Sequence, residues 1–380
     1  MRFLRRRIVW LAVPIVLVIA TLCTALPSFS SGPESQYATT PMTRKERLGI
    51  AFVSEVPQGQ GYVHQSLSDY SVASLQVGWY SDWSFNANPA QPKDDQLEYV
   101  QLLNVRAADW PPDWAAVQNA VNRNRGATWI IGNEPEGVYG QGNRTPAEYA
   151  VIYHDAYTRI KNWDHDARIA IGGVIEPTPL RLRWIEETMA AHQNLYGVPM
   201  EVDVWNIHVQ ILQEKAGEWG AEIPAGITPN PGEAREYNLS ECASVPIFET
   251  LVIEFRTWMW EHEQQSKPLI ISEMGVLQPS DYIAADKESG DRLIEQFMVE
   301  TFDWLLNAKD ETIGCPDDEN RLVQRWLWFS LNGSFWDQDT NPRGFNGSLY
   351  DYQTKRPNRF GLKWIYYQSP YHLNIPLARR

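Results

Sequence analysis

Cysteine, histidine and positive charge are all scarce in this chain, and each shortage closes off a class of function. Cysteine occurs three times in 380 residues, and Cys23 belongs to an N-terminal segment that stands apart from the rest. Only Cys242 and Cys315 are then left, free to pair in an oxidising compartment or to stay apart. Seven histidines (His64, His154, His165, His192, His208, His262 and His372) are scattered without ligand spacing, so no metal site is legible and no cofactor is called for. Lysine and arginine number 33 against 47 acids, a net charge of −14. So acidic a chain argues against nucleic acid or a polyanionic polymer as partner.

Apolar and aromatic residues, by contrast, are plentiful. A hydrophobic content of 43% is ample for a sizeable core. Most of the 17 tryptophans belong in it, because burial is the ordinary use of a large ring.

At the N-terminus, Arg2, Arg5, Arg6 and Arg7 precede the apolar run 8–22, the charged and hydrophobic parts of an export signal. Small-x-small sites at Cys23-Thr24-Ala25 and Ser28-Phe29-Ser30 suit cleavage. The apolar run is also nearly long enough to span a bilayer uncleaved. Residues 1–26 are thus read as a signal peptide or an N-terminal membrane anchor, and the protein as extracellular or cell-surface. Residues 27–43, rich in Ser, Pro, Thr and Gly, read as a flexible linker.

From 44 to 380 the pattern is that of one domain. Short apolar stretches at 48–53, 73–79, 99–105, 128–131, 168–174, 202–209, 269–271 and 326–331 read as eight strands. Helical spacing fills several of the gaps between them: Thr145-Pro146-Ala147-Glu148 is a capping box with proline at the first helical position, opening a helix to about 162. Further helices are expected at 180–196, 247–265 and 289–307, whereas those after the first two strands are poorly marked. Regular alternation implies a parallel sheet, and eight units imply an α/β fold of the (β/α)₈ TIM barrel kind. No glycine-rich turn follows the first strand, which speaks against an open dinucleotide-binding sheet.

In such a barrel the residues just past each strand carry the chemistry. Two carboxylates stand there: Glu134 in Gly132-Asn133-Glu134-Pro135 after strand four, and Glu273 in Ser272-Glu273-Met274-Gly275 after strand seven. Paired carboxylates at neighbouring strand ends are equipment for cleaving a glycosidic bond, one protonating the leaving oxygen while the other attacks the anomeric carbon. Glu136, Glu55 and Glu176 also lie past strand ends; as single acids they read as substrate contacts or solvated groups.

The two motifs together resemble clan A of the retaining glycoside hydrolases, over about 47–366. The resemblance implies Glu134 as acid/base, Glu273 as nucleophile, and Asn133 holding the sugar 2-hydroxyl. On strand six, His208 shares its face with Asn206 and Gln210, and reads either as a site residue or as a hydrogen-bonded core histidine. Many clan members carry a tyrosine on this strand that contacts the nucleophile; here Gln210 stands near that place. Trp328 on strand eight resembles the tryptophan that floors the clan's catalytic subsite. Trp79, Trp83 and Trp336 could line the cleft or serve as packing. The long segment 212–246 is expected to form a wall or lid.

The expected function is thus retaining hydrolysis of a neutral, β-linked oligo- or polysaccharide by a monomer. A catalytically silent carbohydrate-binding barrel at the cell surface is the alternative, since fold does not guarantee activity.

Overall fold

The ring of the barrel closes through eight parallel strands. The computed structural model describes residues 41–369; the segment 1–26 and almost all of the linker 27–43 lie outside them. The strands are β1 (Leu48–Ala51), β2 (Trp79–Ser81), β3 (Gln101–Leu103), β4 (Thr128–Asn133), β5 (Arg168–Gly173), β6 (Trp205–Val209), β7 (Leu269–Met274) and β8 (Arg325–Trp328). β1 pairs in parallel with both β2 and β8, and β7 joins β8 to β6. β4 pairs with β3 and β5. The short piece Glu98–Tyr99, at the head of β3, pairs with β2. Two parallel bridges, Ala170 to Val204 and Val174 to Ile207, close the seam between β5 and β6.

Among the described residues, six α-helices of ten residues or more surround the strands: α1 (Trp114–Arg123), α2 (Pro146–Trp163), α3 (Pro179–Tyr196), α4 (Val245–Glu261), α5 (Lys287–Asn307) and α6 (Arg359–Gln368). The start of α2 is set as its sequence demands: Thr145 and Glu148 cap each other's backbone N–H groups, with Pro146 at the first position. α1, capped by Asp113, was not legible in advance. No α-helix lies between β1 and β2 or between β2 and β3. Chain that crosses from β1 to β2 begins instead with a hairpin, Glu55–Gln58 against Gly61–His64.

Strand alternation sorts the core into two layers. Val100, Leu102, Ile130, Ala170, Val204, Ile270 and Leu327 fill the inside of the ring with Ala51 and Trp79. Ile131, Ile171, Ile207, Ile271, Trp326 and Trp328 pack outward with the helices.

One strand differs from its sequence expectation. The apolar stretch 73–79 begins as a short 3₁₀ turn, Ala73–Leu75, and only at Trp79 does the strand start. The reason is that these apolar residues pack outside the ring: the indole of Trp364 on α6 donates to the carbonyl of Leu75 at 2.8 Å. β2 therefore ends at Ser81, which moves the strand end toward Trp83.

Candidate active site

Glu273 reaches the barrel mouth because β7 breaks its own alternation. Ile271 faces the helices, so an uninterrupted strand would send Glu273 the same way. The pairing of β7 with β6 shifts register between Ile271 and Glu273, and this bulge turns the Glu273 side chain inward beside His208. At the end of β4, Gly132 (φ +94°) and Glu134 (φ +41°) depart from strand geometry, and Asn133 and Glu134 both line the cleft. A positive φ at a glutamate is an uncommon conformation, of the kind that clusters at functional sites. Gly132 is required there, since a Cβ would lie 2.9 Å from Val105.

β6 needs no such device. Trp205, Ile207 and Val209 face outward, so Asn206, His208 and Gln210 face the lumen. His208 Nδ1 lies 3.0 Å from Glu134 Oε1, and its Nε2 lies 3.7 Å from Glu273 Oε1. Carboxylate oxygens of the two glutamates and a ring nitrogen of His208 all lie within 4.8 Å of one another.

These three side chains are all buried, and their electrostatics follow from that. Burial pushes Glu273 up to about 7; the charge of Glu134 adds to the effect, while His208 and a hydrogen bond from Trp83 oppose it. His208 is raised from its ordinary value: burial works against its charged form, and the facing Glu273 and Glu134 outweigh burial. The Glu273 carboxyl thus keeps its proton up to nearly neutral pH. Among the described residues this trio is also the one group arranged to hold a metal ion. A cation there would occupy the same carboxylate oxygens that acid/base chemistry needs.

The cleft over the trio has a volume of about 430 Å³, within the range of small-ligand sites. Glu55 and Pro57 of the hairpin, Trp83, Phe329, Tyr139 and Phe345 line it. Segment 212–246 supplies a wall through Leu212, Gly220 and Ala221.

Of the residues singled out in the sequence, Glu134, Glu273, Asn133 and His208 are brought together. Trp79 and Trp328 are not. Trp79 is fully buried at the floor of the ring, its indole donating to Arg47 O at 3.2 Å and Arg325 lying over it. It sits there because β2 begins with it, so that Trp83, beyond the strand end, is the tryptophan at the mouth. Trp328 faces outward against Phe297 and Phe302, because alternation on β8 turns Leu327 inward; Phe329 follows into the cleft. Trp336 packs on Tyr282 at the surface.

Glu136 and Glu176 lie behind the site rather than in it. Glu136 is paired with Arg181 at 3.0 Å, and Glu214 with the same guanidinium, all three fully or almost fully buried. Burial raises Glu136 and holds Glu176 well above the ordinary carboxylate range. The cluster ties together the loops after β4, β5 and β6. Cys242 and Cys315 are both free buried thiols, one after β6 and one before β8, at opposite ends of the barrel.

The family model of the glycosyl hydrolase catalytic core matches residues 51–218, a stretch that includes Asn133, Glu134 and His208. Over that stretch the chain resembles the glycosyl hydrolase catalytic core. No curated protein matches the sequence. Among solved structures it is similar to a glucosidase from Croceicoccus marinus, at 12% identity and a TM-score of 0.51, covering 87% of this chain and 69% of that one. That likeness carries the barrel fold. It is also similar to a GH128 subgroup II endo-β-1,3-glucanase from Sorangium cellulosum (16% identity, TM-score 0.47, covering 84% and 97%). A third is a β-xylosidase from Caulobacter crescentus (12%, 0.48, 86% and 68%). The family model supports a glycoside hydrolase, with no family assigned.

Proposed function

We propose that this protein is a retaining glycosidase that cleaves a neutral, β-linked oligo- or polysaccharide by double displacement, with Glu134 as acid/base and Glu273 as nucleophile. The single observation that carries the reading is the approach of their carboxylate oxygens to within 4.8 Å at the barrel mouth. Retaining glycosidases hold their carboxyls roughly 5 Å apart, and inverting ones roughly 6.5–9.5 Å, to admit a water. Glu134, acting as the acid, gives a proton to the leaving oxygen as Glu273 attacks the anomeric carbon, leaving a glycosyl ester. Water then gives a proton to Glu134 and attacks that ester, which restores Glu273 and the original configuration. Asn133 is proposed to hold the sugar 2-hydroxyl from its place on the cleft wall, and His208 to hold both carboxyls in position.

The charged and apolar N-terminus supports export, with residues 1–26 as signal peptide or anchor and action outside the cell. The protein is proposed to act as a monomer. The test is hydrolysis of a panel of aryl β-glycosides, β-glucans and xylans by the wild type and by Glu273→Gln. The reading expects cleavage that the variant lacks; equal background from both proteins would favour the silent carbohydrate-binding barrel.

A further inference from the structure

Trp83 makes the shortest polar contact to Glu273, and it reaches in from past the end of β2 rather than from β6. Its indole Nε1 donates to Glu273 Oε1 at 2.5 Å. Gln210, at the place where the clan's tyrosine was sought, is buried and makes no hydrogen bond through its side chain. Trp83 holds a left-handed backbone, φ +58°, rare for a bulky residue and sustained only when its surroundings fix it. They do so here: Asp82 accepts from the backbone and hydroxyl of Ser84 and from the hydroxyl of Tyr99, and Phe329 packs edge-on against the Trp83 ring at 5.6 Å.

We propose that Trp83 is a positioning residue for the nucleophile, doing from the end of β2 what a strand-six hydroxyl would otherwise do. The proposal rests on the glycosidase reading and deepens it. An indole N–H donates and never accepts, so it favours the ionised carboxylate and cannot take its proton. Both polar contacts to Glu273, from Trp83 and from His208, fall on Oε1. Among the described residues Oε2 receives no hydrogen bond, which assigns it as the attacking oxygen. The same donor works against the burial that raises Glu273, so more of Glu273 is in the ionised form that attacks.

Two measurements on the full chain test this. In ¹H–¹⁵N spectra, the Trp83 indole resonance, assigned by its loss in Trp83→Phe, is expected downfield of the other indoles, to shift with a midpoint near 7, and to stop titrating in Glu273→Gln. On the aryl β-glycoside that the wild type cleaves fastest, Trp83→Phe keeps a ring and loses the donor. Its pH profile for kcat/KM is expected to move upward by about one unit, with kcat down roughly tenfold and KM little changed. A Trp83 indole that does not titrate, or a variant whose pH profile stays in place, would overturn the proposal. If no substrate is cleaved above the Glu273→Gln background, the glycosidase reading fails, and the indole titration alone still decides whether Trp83 holds Glu273.

Discussion

Gly173 leaves the space that His208 fills: a Cβ on Gly173 would lie 2.5 Å from the imidazole Cδ2. The last residue of β5 thereby sets the depth at which the histidine bridges the two carboxylates on β4 and β7. Gly173→Ala forces the ring or the strand to move. The expected cost is ~1–3 kcal/mol of stability with a fall in kcat/KM of tenfold or more, read by thermal unfolding and steady-state kinetics on the same preparation. A variant with wild-type activity would show that the position of His208 does not matter.

Burial of Glu273 predicts a pH limit on activity. With Glu273 pushed up to about 7, the carboxylate that attacks is the main form only above that pH. The kcat/KM profile should therefore fall on its acid side with a midpoint near 7. Glu134→Gln moves that limb to lower pH, because it removes a charge that helps raise Glu273, and retains slow turnover only on substrates whose leaving group needs no protonation. An acid limb with its midpoint at the ordinary carboxylate value of 4.5 would contradict the raised Glu273.

Among the described residues, Arg181 is the one cation paired with Glu136 and Glu214, and its charge also faces Glu176. Removing it leaves buried carboxylates uncompensated, so Arg181→Leu should cost ~3–5 kcal/mol. Glu176 adds a pH signature of its own. Its carboxyl is raised well above 4.5 in the folded state, so the folded protein binds more protons than the unfolded chain above that pH. Stability from this group is thus full below about 4.5 and falls as pH rises toward the folded value. Glu176→Gln should flatten that decline, measured as Tm across pH 5 to 9. A steeper decline in the variant would contradict the assignment.

Trp79 and Trp328 should behave as packing. Alanine at either is expected to lower Tm by roughly 5–10 °C, the usual effect of emptying a buried indole, while KM of the surviving folded fraction stays near wild type. A selective rise in KM would instead place either ring at the substrate.

Much of the site could be read from the sequence because its residues are marked by their neighbours. Glu134 follows an apolar strand of its own, and Asn206, His208 and Gln210 alternate with outward apolar residues. What period-two reasoning could not supply was the breaks in the pattern. The bulge that turns Glu273 inward leaves no composition cue, and the stretch 73–79 opens as a 3₁₀ turn that accepts the Trp364 indole before β2 starts at Trp79. That shift exchanged the roles of Trp79 and Trp83. On β8 the same parity question separates Trp328 from Phe329: a run of three large rings and one leucine, Trp326 to Phe329, gives no polar face to orient it.

The most direct test of the account is the configuration of the first product, followed by ¹H NMR as the β-linked substrate is cleaved. Two carboxylates within 4.8 Å predict that the β-anomer appears first and the α-anomer only as mutarotation proceeds. Early accumulation of the α-anomer would mean a water stands between Glu273 and the sugar, and would contradict direct attack.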